Sequence, residues 1–68
     1  MDISKYIKSL LALNGITIKK LAVLLSEKTG TNYTQSGLTT KIRRGKVTLQ
    51  EGFAIADILG YNLEFIKK

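Results

Sequence analysis

The 68 residues include no cysteine and no histidine. Without thiols there is no disulfide framework and no cysteine-based zinc site, and without imidazole the usual acid–base group of neutral pH is missing. No apolar run approaches the roughly 18 residues that a membrane-spanning helix needs. Met1 leads into a mixed charged and apolar pattern with no signal-peptide core. The expectation is a soluble, cytoplasmic chain with no membrane partner, no cofactor, no metal and no evident small-molecule ligand. Carboxylates are also scarce, five against 11 lysines and arginines, for a net charge of +6. Between Lys28 and Lys46 there are five cations and no carboxylate at all. Such an imbalance favours a polyanionic partner, such as nucleic acid, over an acidic or neutral one, with a merely solvated basic surface as the equal alternative on charge alone.

Hydrophobic residues make up 44% of the chain and charged residues 24%, a composition that folds rather than stays disordered. A chain of this size is one domain, residues 1–68, and buries only about 60% of the surface that its unfolded form exposes. That modest core argues against a deep catalytic cleft. No nucleophile–base pair, metal set or phosphate loop is visible, so the expectation is a protein that is not an enzyme.

Along the chain the apolar residues recur at the helical period. Asp2 can cap a first helix whose stripe is Ile3, Ile7, Leu10 and Leu11, closed at Asn14-Gly15. Thr17 can cap a second, with Ile18, Leu21, Ala22 and Leu25 on one face and a stop at Thr29-Gly30. Residues 31–33 carry no stripe and read as a connecting turn before a third cap at Thr34. Thr48-Leu49-Gln50-Glu51 is a capping box for a fourth helix. That helix is expected to bury Leu49, Phe53, Ala56 and Leu59, with Ile55 and Ile58 broadening the stripe, and to close at Gly60. Beyond it Tyr61, Leu63 and Phe65 alternate with polar or flanking residues. This reads as a short extended segment, against a short helix capped by Asn62.

The third helix, from about Gln35 to Arg44, is the informative one. Its only large apolar residues are Leu38 and Ile42, four apart, which anchor one narrow side. At 100° per residue Ser36, Thr39, Thr40 and Arg43 lie opposite, with Arg44 flanking and Gln35 at the exposed start. Two short helices joined by a tight turn, the second polar outside, make the helix-turn-helix arrangement, in which the second helix lies in the major groove. Glutamine can pair bidentately with adenine and arginine with guanine, and threonine offers a hydroxyl and a methyl. The plainer alternative is a surface helix with arbitrary polar residues.

Several fragments, in order, resemble the lambda-repressor-like, Cro-type helix-turn-helix family of phages, plasmids and bacterial chromosomes. Gly15-Ile16-Thr17 with Leu21-Ala22 and Leu25 looks like that family's second helix. Thr34-Gln35-Ser36-Gly37-Leu38 is similar to the start of its recognition helix, and Arg44-Gly45 to its end. Residues 55–60 match its fourth-helix ending. The resemblance covers nearly the whole chain and implies an all-α, compact four- to five-helix lambda-repressor-like domain in which Gln35 and Ser36 touch bases. Two departures stand out. Helix two is about four residues longer than usual, close to one 3.6-residue turn that keeps its buried face, and the turn after it is about two residues longer. Ile18 stands where the family often has a glutamine that touches phosphate and braces the first residue of the recognition helix.

The sequence therefore leads to a sequence-specific DNA-binding regulator, a repressor acting by promoter occlusion. Base reading falls to Gln35, Ser36, Thr39, Thr40 and Arg43. Phosphate contacts, which set register, fall to Thr34, Lys41, Arg44, Lys46 and Lys19. Arg43 has an alternative use in bonding the helix's last carbonyls. Tyr61, Leu63 and Phe65 are the candidate contact of a homodimer formed at least on DNA, or else cover their own core. Tyr6 and Tyr33 could reach phosphates or pack half-buried. The rival readings are a protein-interaction module that keeps this fold without specific DNA binding, and a nonspecific coat for nucleic acid, RNA included.

Overall fold

A computed structural model describes residues 3–67, and among these the regular structure is wholly helical. The four helices are α1 (Ile3–Leu13), α2 (Ile18–Thr29), α3 (Gln35–Arg43) and α4 (Leu49–Leu59). The Asp2 cap falls outside the described residues. The other three starts are as the sequence leads one to expect: the hydroxyls of Thr17, Thr34 and Thr48 each accept the backbone N–H three residues on. At Thr48 the Glu51 carboxylate returns the bond to the Thr48 N–H at 2.9 Å, completing the capping box.

The helix ends are equally local. Gly45, at φ 66°, takes the left-handed turn that a side chain would oppose. Its geometry lets the Lys46 N–H donate to the Lys41 carbonyl at 2.9 Å, which closes α3 abruptly. A parallel closure at Gly15 lets the chain turn by 97° between α1 and α2.

Ile7, Leu11, Leu21, Ala22, Leu25, Leu38, Ile42, Ile55 and Leu59 form one core, in which Leu21, Leu25 and Ile42 are completely buried. Helix α2 packs against both α3 and α4, and α1 packs against α3. No helix among the described residues is long and apolar enough to cross a membrane.

Helix α4 is rotated from its expected setting. It buries Glu51, Ile55 and Leu59, with Ala54 and Ile58 partly covered, while Leu49 and Phe53 are exposed and Ala56 only half-buried. The reason is polar. Glu51 turns inward to meet partners on α3 and the α2–α3 connection, and residues two positions away then point about 200° from it. Ile3, the first member of the α1 stripe, is also partly exposed.

The described residues after Gly60, 61–67, form neither a strand nor a fifth helix. A lone alternating segment has no neighbouring strand to satisfy its backbone, so alternation alone cannot make it one. Instead residues 61–63 lie against α1 and α4. The Tyr61 hydroxyl accepts a bond from the Asn14 side-chain amide at 3.2 Å, and Leu63 packs over Gly52.

Candidate nucleic-acid interface

The two anchors of α3 are buried, Leu38 at 2% exposure and Ile42 at 0%, and this decides which side of the helix faces out. Gln35, Ser36 and Arg43 are exposed, whereas Thr39 and Thr40 are half-buried. Thr34, Gln35, Ser36, Thr39 and Thr40 line one shallow depression. Thr39 donates its hydroxyl proton to the Gln35 carbonyl at 2.8 Å, which leaves its methyl and the two lone pairs of the hydroxyl for other contacts.

A second depression shares Thr34 and Thr40 with the first and is basic, with Lys41, Arg44 and Lys46 among its lining residues. Thr31, Asn32 and Gly37 also border it. Thr31 and Asn32 have no place among the candidate site residues read from the sequence, where they read only as connection. Arg44 and Lys46 are exposed, and Lys19 is exposed at the start of α2 but lines neither depression. The Thr34 hydroxyl is committed to its cap, accepting the Gly37 N–H at 3.1 Å.

Lys41 is differently placed from the other lysines. Its ammonium donates to Glu51 Oε2 at 2.6 Å and stands 5.7 Å from the centre of the Tyr33 ring. The Tyr33 hydroxyl donates to the same oxygen at 2.7 Å. Tyr33 itself is tied down at its backbone, where its N–H donates to Ser26 Oγ at 2.8 Å. Glu51, at 8% exposure, is the most buried charged residue described. Burial alone would raise its pKa, but the bonds from Lys41, the Thr48 amide and Tyr33 outweigh it and bring the pKa down to about 2. The same bond to Glu51 is the main reason that the Tyr33 and Lys41 pKa values are raised. All three directions agree: carboxylate, phenol and ammonium keep the forms that bind one another.

Tyr61 and Leu63 lie on another side of the molecule, lining an apolar groove of about 390 Å³ between α1 and α4 together with Ile3, Tyr6, Leu10 and Ile55. Phe65 does not line that groove and is 83% exposed. Among the described residues no cluster of carboxylates is placed to hold a metal ion.

A small four-helix domain with an outward polar helix and a basic flank is the class that the geometry defines. Residues 1–63 match the model of a family described as a domain of unknown function, DUF6471, so the chain belongs to that family. No curated protein and no solved structure matches the chain.

Proposed function

We propose that the protein is a sequence-specific double-stranded DNA-binding regulator, with α2 and α3 acting as a helix-turn-helix unit of the lambda-repressor-like, Cro type and α3 lying in the major groove. The observation that carries the reading is the one-sidedness of α3. Leu38 and Ile42 hold it from behind, while Gln35, Ser36 and Arg43 face out within a stretch that has five cations and no carboxylate. In the groove Gln35 suits adenine, Arg43 suits guanine, the Ser36 and Thr40 hydroxyls suit either kind of edge, and the Thr39 methyl suits thymine. Arg44, Lys46 and Lys19 are exposed, and in this reading they make the phosphate contacts that fix the register. Bound across a promoter, such a domain would repress by occlusion. The apolar groove that includes Tyr61 and Leu63, with Phe65 beyond it, is the surface for a second copy, which would set half-sites about one helical turn, 34 Å, apart.

Selection of bound duplexes from a random pool at about 150 mM salt tests the reading. The expected result is a palindromic motif bound about a thousandfold more tightly than a scrambled duplex. Binding should also weaken by about 10³ between 50 and 200 mM salt if a dimer neutralises some six phosphates. A folded protein that enriches nothing would overturn the reading in favour of a protein-interaction module, for which the same apolar groove offers the surface.

A further inference from the structure

A helix held by two residues four apart is free to roll about the line that joins them. Leu38 and Ile42 are such a pair, and each is apolar, so neither adds a directional bond. Helix diameter with side chains is about 10–12 Å, so a roll of about 10° carries a side-chain base by about 1 Å and its tip by more. A bidentate pair does not survive that displacement well, because hydrogen bonds weaken steeply away from their preferred distance and angle. A reading face therefore needs a third, directional support.

We infer that Glu51 is a positioning residue for α3, fixing through Lys41 and Tyr33 how the helix presents Gln35 and Arg43. Lys41 sits about 100° around the helix from Ile42, off the line of the two anchors. The two carboxylate oxygens divide the work. Oε1 accepts the Thr48 N–H at 2.9 Å and serves the cap of α4. Oε2 is not needed for capping and takes both the Lys41 ammonium at 2.6 Å and the Tyr33 hydroxyl at 2.7 Å. One anion thus joins the start of α4, the chain just before α3 and the flank of α3. A capping box at a helix surface would leave its glutamate wet, whereas this one is 8% exposed.

The inference rests on the DNA-binding reading for what is being positioned, but the holding of α3 can be measured without DNA. Tyr33→Phe removes one hydroxyl and changes no charge. Against the selected duplex its affinity should fall about fivefold, the loss expected from one imperfect base contact, while affinity for a scrambled duplex and the salt slope stay unchanged. Glu51→Gln keeps a carbonyl for the Thr48 amide but releases Lys41. It should bind the scrambled duplex more tightly with a steeper salt slope, yet discriminate less. In the absence of DNA, amide exchange of residues 38–43 in Tyr33→Phe should speed up about fivefold more than that of residues 21–25. Equal acceleration of α2 and α3, or equal loss on both duplexes, would overturn the inference. If the wild type enriches no duplex while α3 exchange responds as stated, the DNA reading fails and the support of α3 by Glu51 stands.

Discussion

The amino ends of α3 and α4 are built on the same device, a threonine whose hydroxyl accepts the backbone N–H three residues on, at 3.1 Å in both. What differs is the residue that supplies that N–H. In α4 it is Glu51, whose side chain reaches back to the cap and on to Tyr33 and Lys41. In α3 it is Gly37, which has nothing to send back and leaves the start of the helix bare. One end is thereby locked into the fold and the other is left open to whatever approaches. A capping motif does not by itself say whether a helix end is structural; the third residue after the cap decides it.

The comparison breaks most severely at Glu51. Glu51→Ala strips the anion from two side chains and one backbone amide at once, and the expected cost is about 3 kcal/mol, read as a lower urea midpoint. Acid should act on the same group. Its folded pKa of about 2 lies below the ordinary value of 4.5, so its contribution is complete above pH 4.5. It declines as pH falls from 4.5 towards 2 and is gone below that. Urea melts across this window should show the decline in the wild type and a much shallower one in Glu51→Gln. An equal slope in both would mean that the carboxylate is not the group responsible.

On the open end the expected losses are in binding. Gln35→Ala should cost about 1–3 kcal/mol on the selected duplex and relax preference at one base pair. Lys46→Ala should weaken every duplex alike and reduce the salt slope by about 1. Competitive titration of both variants against matched and scrambled duplexes checks the division. Uniform losses from Gln35→Ala would place that side chain among the positioning contacts instead.

Thr34→Ala sharpens the comparison at smaller scale. It removes a one-sided cap and should lower stability by about 1 kcal/mol, well short of the loss at Glu51. A thermal melt that fell as far as that of Glu51→Ala would show that the start of α3 is as deeply tied into the fold as that of α4.

Most of this architecture can be read from local signals. The threonine caps, the glycine stops and the anchors Leu38 and Ile42 act within a few residues of one another, so periodicity and capping chemistry suffice to place them. The rotation of α4 was hidden because it depends on a contact across 18 residues, from Glu51 to Tyr33, that no pattern within the helix encodes. By hydropathy alone Leu49 and Phe53 belong inside, but it is the bonded Glu51 carboxylate that occupies the inward side of this turn. For the same reason Lys41 reads in the sequence as one more phosphate contact, since its ion pair is visible only once α3 and α4 are side by side. Thr31 and Asn32 became candidates only when the turn folded against the basic flank of α3.

The smallest expected effect comes from a second ion pair between separate elements, Lys28 with Asp57 between α2 and α4. Its Asp57 side chain is 69% exposed, against 10% for that of Glu51. Water and salt screen an exposed pair, and two mobile side chains lose entropy in forming it, so Asp57→Asn should cost less than about 1 kcal/mol. The cost should shrink further in 0.5 M salt, while the Glu51→Gln deficit persists because its carboxylate is shielded from bulk ions. Urea melts of both variants at low and high salt make the measurement. If the two deficits faded in parallel, the burial of Glu51 would not be what separates the locked end of α4 from the rest of the charged surface.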